Sequence, residues 1–317
     1  RDSVASRGLG DVYKRQVMNV VHGDKEMVNA ILEHPDIATF SFVGSTPAAE
    51  YVYNKASSAG KRVQALGGAK NHAVVMPDAD LEQTANAIIG AAYGSAGERC
   101  MAISAVIAVD TIAEPLKEIL VQKIEALKIG PGNDLGNDMG PLITKEHKKK
   151  VIDYIKSGDS SGAELVIDGR EHPITNENAG CFLGPTLFDH VAADMSIYLE
   201  EIFGPVLVML RAKNFQQALD LVNNHRFGNG VAVFTSNGSI AREFSNQVQI
   251  GMVGVNVAIP VPLSFYSFGG WKDSIYGPLN IYGMDGVRFF TKLKTITTRW
   301  PDLDESSAVD LSMPTVK

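Results

Sequence analysis

The chain has 317 residues, of which 45% are hydrophobic and 21% charged, a composition typical of one large or two ordinary globular domains. Its net charge of −7 argues against a nucleic-acid-binding surface. Two cysteines, Cys100 and Cys181, are too few for a disulfide scaffold or a zinc site and fit a reducing compartment. No metal-ligand spacing is present, and no apolar run reaches the roughly 18 residues that predict a membrane span.

The first part of the chain predicts a βαβ unit. Residues 1–16 are basic, rich in Ser and Gly and without periodicity, so they are interpreted as a foreign extension. The pattern then predicts a helix over 26–33, a strand over 37–43, a helix to about residue 58 and a strand over 62–66. Thr46 is predicted to cap the second helix, with Pro47 in its first turn. Strand, tight turn, helix and strand in this order form a βαβ unit.

The rest of the chain continues this alternation. Strands are predicted over 72–76 and 103–109, helices over 81–93, 113–127 and 145–158, and further alternation to residue 256. Residues 254–277 indicate a loop and 295–300 a terminal strand. The basic run Lys148-Lys149-Lys150 is interpreted as a solvated helix face rather than a phosphate-binding patch. Together these elements predict an α/β protein.

Gly44 and Ser45 form the turn between the first predicted strand and its helix. The unpaired N–H groups at a helix start favour a phosphate, Gly44 allows close backbone approach, and the Ser45 hydroxyl can donate to a phosphate oxygen. The turn matches neither the G-x-G-x-x-G fingerprint nor a Walker loop. On this segment alone, an ordinary turn is the preferred interpretation.

Cys100, in the segment GERCMA (97–102), is a candidate nucleophile. Such a cysteine needs an accessible thiolate, and Arg99 supplies a neighbouring positive charge. The small residues at 94–97 leave room for a substrate. The alternative is a small buried hydrophobe, an interpretation that suits Cys181 better.

Glu200 and Glu201 precede an aromatic turn at Phe203. The two acids could bind ribose hydroxyls, with the Phe203 ring against a flat ligand. A surface acidic pair beside a packed phenylalanine explains the same segment and is preferred when it is taken alone.

Taken in order, these segments resemble the aldehyde dehydrogenase superfamily. The resemblance is carried by residues 42–46, 66–68, 97–102, 139–142, 184–186, 200–206, 230–235, 255–256 and 268–272. It extends from about residue 17 to residue 300. Within the superfamily, AKNH (69–72), GERCMA (97–102), VAIPVP (257–262) and KTIT (294–297) are similar to the CoA-acylating methylmalonate-semialdehyde dehydrogenases.

This resemblance implies a catalytic cycle centred on Cys100. Its thiolate attacks the aldehyde carbon, hydride passes to NAD⁺, and a thioester on Cys100 results, while the backbone N–H of Cys100 helps to hold the oxyanion. The resemblance also implies which residues contact the cofactor: Gly44 and Ser45 at the pyrophosphate, Glu201 at the nicotinamide ribose, Phe203 beside the nicotinamide, and Leu66 and Gly67 beside the reacting carbon.

Ala65 departs from the pattern of hydrolytic aldehyde dehydrogenases, which keep a glutamate there to activate water. A methyl group accepts no proton, so hydrolysis of the thioester is expected to be slow. CoA, a stronger nucleophile, is therefore expected as co-substrate, giving propanoyl-CoA from methylmalonate semialdehyde or acetyl-CoA from malonate semialdehyde. Arg99 is expected to bind the substrate carboxylate, and an ion pair with Glu98 is the alternative.

The expected architecture is a partial Rossmann-type NAD-binding domain (17–68), an α/β catalytic domain (69–285), an oligomerisation segment (286–301) and a tail (302–317). Family members are longer, so the chain is expected to lack an N-terminal part and to have little activity alone. The resemblance also implies a dimer or tetramer.

Three functions stay open: the CoA-acylating enzyme, a hydrolytic aldehyde dehydrogenase, and a non-catalytic member of the family. The expected location is the bacterial cytoplasm, or the mitochondrial matrix if the source is eukaryotic. The preferred semialdehyde, and valine or inositol breakdown as the pathway, are left open.

Overall fold

A computed structural model describes residues 17–176, 180–298 and 300. The predicted extension 1–16 and tail 302–317 lie outside the described residues. Strands and helices alternate along the described chain and build two main sheets, which confirms the predicted α/β class. None of the helices in the described ranges is both long enough and apolar enough to cross a bilayer.

The smaller sheet contains the predicted βαβ unit. Helix α1 (Lys25–Glu33) is followed by β1 (Thr39–Val43), α2 (Thr46–Ser58) and β2 (Arg62–Leu66), and β1 and β2 are parallel. A small apolar core joins these elements, with Leu32, Ala49, Val52, Ala56, Val63 and Ala65 buried in it. Burial of these side chains holds the helices on the sheet.

The predicted cap of α2 is wrong by one residue. Ser45 occupies the N-cap position and makes no side-chain capping bond, while Thr46 is already helical. The Thr46 hydroxyl instead accepts a hydrogen bond from the Gly68 N–H, at 3.0 Å. A contact from beyond the end of β2 therefore competes for the hydroxyl that local sequence assigned to the cap.

The larger sheet has seven strands in the order β10-β9-β3-β4-β7-β6-β5, and only β5 runs antiparallel to its neighbour. Its strands are β3 (Asn71–Val75), β4 (Ile103–Val109), β5 (Glu164–Ile167), β6 (Thr186–Asp189), β7 (Val206–Ala212), β9 (Gly230–Phe234) and β10 (Met252–Val255). Its helices are α3 (Leu81–Tyr93), α4 (Ala113–Glu125), α5 (Lys145–Ser160), α6 (Pro173–Asn176), α7 (Ser196–Leu199), α8 (Phe215–Asn224) and α9 (Gly238–Gln247). The main hydrophobic core lies between these helices and the sheet.

After the larger sheet, the chain returns to the smaller one. Strand β11 (Trp271–Lys272) pairs with β8 (Phe227–Gly228), and β12 (Ile275–Tyr276) pairs antiparallel with β2. Helix α10 (Gly283–Phe290) follows. The predicted domain boundaries at residues 68 and 285 stay a prediction. Strand β12, from the predicted catalytic domain, pairs with β2 of the predicted NAD-binding domain.

The predicted terminal strand is absent from the described residues. Residues 291–298 pair with no neighbouring strand, and Leu293, Ile296 and Trp300 are 99%, 76% and 88% exposed. A strand needs a ladder partner to satisfy its backbone groups, and no described segment of this chain supplies one there. Pairing of this segment with a second subunit stays a prediction.

The side chain of Gln64 fastens the returning segment to β2. It is 1% exposed, and its Nε2 donates to the carbonyl oxygens of Leu279 and Asn280 at 2.9 and 2.8 Å. Gln64→Leu should lower the free energy of unfolding by about 1–3 kcal/mol, because it leaves two carbonyls without their donor. Urea unfolding measures this loss. The exposed Gln216→Leu is the matched control and should change stability by less than about 0.5 kcal/mol. Equal effects of the two substitutions would contradict the assignment.

Candidate active site

A cleft of about 480 Å³ opens between the two sheets and collects residues from distant parts of the sequence. Seven of the eight site residues predicted from the sequence line it: Gly44, Ser45, Leu66, Gly67, Cys100, Glu201 and Phe203. Arg99 is the exception and lines a smaller pocket that adjoins Cys100. Segments that were individually ambiguous in the sequence therefore share one concave site.

One wall of the cleft is the turn into α2. The Gly44 N–H donates to the Leu66 carbonyl at 3.1 Å, which fixes the turn to the end of β2. The Ser45 side chain is exposed and makes no hydrogen bond among the described residues. A free hydroxyl beside a helix N-terminus is suited to an anionic ligand oxygen.

The opposite side carries the cysteine loop. Helix α3 ends at Tyr93, and Ser95, Ala96 and Gly97 then have positive φ angles of 53°, 53° and 73°. A Cβ on Gly97 would lie 2.2 Å from the Gly204 carbonyl oxygen, so this loop packs directly against the turn after Phe203. The loop leaves Cys100 exposed at the cleft.

Two buried amide side chains hold the carbonyl of Cys100. Asn71 Nδ2 donates to it at 2.9 Å and Asn229 Nδ2 at 3.0 Å. Asn71 begins β3, and Asn229 lies between β8 and β9. Neither residue was singled out as a site residue in the sequence, because their convergence depends on the pairing of β3 with β9.

Glu201 is held at the floor of the cleft by the Ala69 N–H, which donates to its Oε1 at 3.0 Å. Burial raises the pKa of this carboxyl, and the Ala69 hydrogen bond opposes the rise. Glu200, for which the surface interpretation was preferred, is exposed and does not line this cleft. It accepts instead from the Tyr154 hydroxyl of α5, at 2.5 Å.

Lys70 supports the Glu201 segment from inside the protein. The side chain is 2% exposed, and its Nζ donates to the Ile197 and Glu200 carbonyls at 2.6 and 3.0 Å. Burial lowers the pKa of Lys70 to about 7, although the nearby Glu201 and Glu200 partly offset this effect. A buried lysine of this kind has no signature in the hydrophobic pattern.

Phe203 lies at the mouth of the cleft with a φ of +60°, an uncommon conformation for an aromatic residue. His147 Nε2 donates to its carbonyl at 2.6 Å and lies 3.4 Å from Glu98 Oε1. Burial raises the pKa of Glu98, while the Ile143 N–H and His147 act against it. Glu98 therefore links the cysteine loop to the Phe203 turn through His147.

His147 and Lys150 line the cleft and were missed in the sequence. Lys150 is exposed to solvent, as expected for a solvated helix face. It also lines the cleft, which the sequence did not predict. The spacing of three residues places both side chains on one face of α5. That spacing was a usable signal, since it projects a histidine and a lysine in one direction.

Arg99 makes no ion pair with Glu98 among the described residues. Its Nε donates to Ser95 Oγ at 3.1 Å, and the guanidinium lies against Gly94. Its Nη1 also donates to the Gly90 carbonyl at 3.5 Å. These contacts use only some of the five guanidinium N–H groups, and the others are available to a substrate carboxylate. Its substrate-binding role stays a prediction.

Ala65 does not line the cleft. It is fully buried in the small core beneath α2. Among the described cleft residues the one carboxylate is Glu201, which is bound to the Ala69 N–H. The position that carries a glutamate in hydrolytic aldehyde dehydrogenases therefore supplies no carboxylate to the described cleft.

Replacing Lys70 by Met should change the pH dependence of stability. Burial lowers the lysine pKa to about 7 in the folded protein, and an exposed lysine in the unfolded chain titrates near about 10.4. Between these values the unfolded chain binds more protons, so stability of the lysine protein should rise with pH relative to Lys70→Met.

Urea unfolding at several pH values between about 7 and about 10 measures this difference. Lys156→Met, on an exposed stretch of α5, is the control for loss of a lysine. A gap between the native protein and Lys70→Met that stays constant with pH would contradict the burial of this amine.

The chain is similar to proteins of one known family. The profile of the aldehyde dehydrogenase family matches residues 13–296. The malonate-semialdehyde dehydrogenase of Pseudomonas aeruginosa is 54% identical over 301 residues, which cover 95% of this chain and 61% of that protein.

Two solved structures are also similar. A Sinorhizobium meliloti protein described as a methylmalonate-semialdehyde dehydrogenase complexed with NAD has a TM-score of 0.88 and 55% identity, covering 90% of this chain and 58% of that one. The methylmalonate-semialdehyde dehydrogenase of Oceanimonas doudoroffii has a TM-score of 0.88 and 54% identity, with 90% and 59% covered.

The chain thus spans about three fifths of the length of these relatives. The family match, by contrast, extends over nearly all of the chain. The resemblance found in the sequence is confirmed: the chain belongs to the aldehyde dehydrogenase family.

Proposed function

We propose that this chain carries the nucleophile and part of the cofactor site of an NAD-dependent, CoA-acylating semialdehyde dehydrogenase. The proposed reaction converts malonate or methylmalonate semialdehyde, NAD⁺, CoA and water into acetyl-CoA or propanoyl-CoA, bicarbonate, NADH and a proton. The observation that carries the proposal is the single cleft that unites Cys100 with the Ser45 turn, Glu201 and Phe203. The names of the relatives support the substrate class.

Two parts of the cleft suit two parts of NAD, its pyrophosphate and its nicotinamide ribose. The free Ser45 hydroxyl and the start of α2 suit the pyrophosphate, and the Glu201 carboxylate suits ribose hydroxyls. A side chain at Gly68 would displace Thr46 or Glu201, because a Cβ there would lie 2.7 Å from Thr46 Oγ1 and 2.9 Å from Glu201 Oε2. When bound, NAD⁺ supplies the hydride acceptor.

Cys100 forms the covalent bond to substrate. Its sulfur adds to the aldehyde carbon, and the resulting oxyanion is within reach of the Cys100 backbone N–H. Departure of hydride from that carbon leaves a thioester on the sulfur. Arg99, the residue before Cys100, offers guanidinium donors to the substrate carboxylate.

Release of the acyl group requires a second nucleophile. The cleft-lining carboxylate of Glu201 is engaged by a backbone N–H, and Ala65 carries no acid function. Water therefore lacks the glutamate that activates it in hydrolytic relatives, whereas a CoA thiolate needs no base for its attack. After acylation, the bond between the α-carbon and the substrate carboxylate breaks, the carboxylate carbon takes up water and leaves as bicarbonate, and the α-carbon takes up a proton. Transfer of the remaining acyl group to CoA then forms a new thioester and returns the Cys100 thiolate.

The proposal also covers the oligomeric state of the enzyme and its cellular compartment. We infer a homo-oligomer in which residues 286–301 contact a second copy, because Leu293 and Ile296 are exposed apolar residues with no cover in the described chain. The relatives compared above come from bacteria, which supports a bacterial cytoplasmic enzyme.

The test is an NADH-forming assay with malonate and methylmalonate semialdehyde, with and without CoA. The 317-residue chain is assayed beside a fusion that adds the segment of the Pseudomonas relative that this chain does not cover. Steady turnover of the fusion should require CoA and should fall by at least about 10³-fold in Cys100→Ala.

Cys181→Ala is the matched control, since it removes the other free thiol and should leave turnover unchanged. Equal turnover without CoA would favour a hydrolytic aldehyde dehydrogenase. Full activity of Cys100→Ala would refute the proposed nucleophile.

A further inference from the structure

Asn71 and Asn229 form a buried amide pair that contacts the cysteine loop, and Asn229 also lines the cleft. They are 3% and 7% exposed, although asparagine is usually a surface residue. Buried amides are retained when their hydrogen bonds are satisfied, so the partners of these two side chains indicate what the pair holds.

The bonding capacity of Asn71 is fully used. Its Nδ2 donates to the carbonyls of Cys100 and Ala102, both at 2.9 Å. Its Oδ1 accepts from the Gly230 N–H at 3.0 Å and from Asn229 Nδ2 at 3.4 Å. One side chain thus joins the start of β3, the start of β9 and the two ends of the Cys100-Met101-Ala102 segment.

Asn229 completes the arrangement from the other side. Its Nδ2 donates to the Cys100 carbonyl at 3.0 Å and contacts Met101 Sδ at 3.0 Å. The Ala102 N–H donates to the Arg99 carbonyl at 3.0 Å and closes the turn that carries Cys100. The Cys100 carbonyl therefore receives two amide donors from outside its own turn.

We propose that Asn71 and Asn229 are positioning residues for the nucleophile, acting through the Cys100 carbonyl. Fixing that carbonyl sets the orientation of the Cys100–Met101 peptide plane and so restricts the backbone from which the thiol projects. The donors come from the start of β3 and from the residue before β9, and these two strands are paired in the larger sheet. The turn itself is small, exposed at Cys100 and rich in positive φ angles on its N-terminal side.

The proposal rests on the proposed function only in taking Cys100 as the nucleophile. A small displacement of a reacting group lowers its rate without requiring loss of ligand binding. The pair should therefore affect the chemical step and leave the cofactor contacts of Ser45 and Glu201 intact.

Asn229→Asp and Asn71→Asp test this, since each replaces an amide donor by a carboxylate oxygen facing a carbonyl. Asn229→Ser is the milder variant and removes the donor without adding a charge. Asn223→Asp is the matched control, because Asn223 also donates to a carbonyl (Gln247, 3.1 Å) and accepts from an N–H (Gln249, 2.7 Å) away from the cleft.

The measurements are the single-turnover rate of NADH formation at saturating aldehyde and NAD⁺, and the Kd of NAD⁺. Both are made on the fusion described above. Hydrogen exchange at the Ala102 amide is followed in the 317-residue chain and in the fusion. For Asn229→Ser and both Asp variants, the rate of NADH formation should fall at least tenfold, and hydrogen exchange at Ala102 should become faster. The Kd of NAD⁺ should change by less than about twofold. Asn223→Asp should leave all three unchanged.

A folded Asn229→Ser protein that forms NADH within twofold of the unsubstituted rate would overturn the proposal. Equal losses of rate and NAD⁺ affinity in the Asn229 and Asn223 variants would also overturn it, since they indicate a general structural role. If Cys100→Ala kept full activity, the proposed function would be wrong. The hydrogen-exchange result would still show whether the two asparagines hold the Cys100 turn.

Discussion

The cleft depends on the hydrogen bonds of one four-residue segment, Gly68-Ala69-Lys70-Asn71. The Gly68 N–H reaches Thr46 at the start of α2, and the Ala69 N–H reaches the Glu201 carboxylate. Lys70 then holds the carbonyls of Ile197 and Glu200, and Asn71 holds that of Cys100. The four consecutive residues thus hold three parts of the same site: the start of α2, the Glu200–Glu201 segment and the Cys100 turn.

This arrangement explains how a nucleophile and a cofactor site on separate sheets keep a constant geometry. The segment leaves the smaller sheet at β2 and enters the larger one at β3. The returning chain reinforces the junction, because the Ser274 hydroxyl donates to the Gly68 carbonyl at 2.8 Å. Backbone and buried side-chain hydrogen bonds of this kind are costly to leave unmade, which favours one arrangement over its alternatives.

Much of the fold was predictable from the sequence. The segments predicted as strands at 62–66 and 103–109 became β2 (Arg62–Leu66) and β4 (Ile103–Val109) without any change of bounds. Both strands are buried almost throughout, and the apolar, β-branched content of the second identifies it directly. The grouping of the cofactor and nucleophile residues was also predictable, but only from the order of several motifs together.

The errors share a physical cause, which is dependence on distant partners. Thr46 serves Gly68 instead of its own helix. Lys70 and Asn229 act from buried positions that local patterning assigns to apolar residues. Such roles follow from strand register, which no short window of sequence contains.

The central claim is that Cys100 carries an acyl group that water removes slowly and a thiol removes fast. Its most direct measurement is mass spectrometry of the acid-quenched fusion after mixing with aldehyde and NAD⁺, first without CoA and then with it. The account predicts an acyl adduct on the Cys100 peptide that persists until CoA is added and then disappears. An adduct that decays equally fast without CoA, or that maps to Cys181, would contradict it.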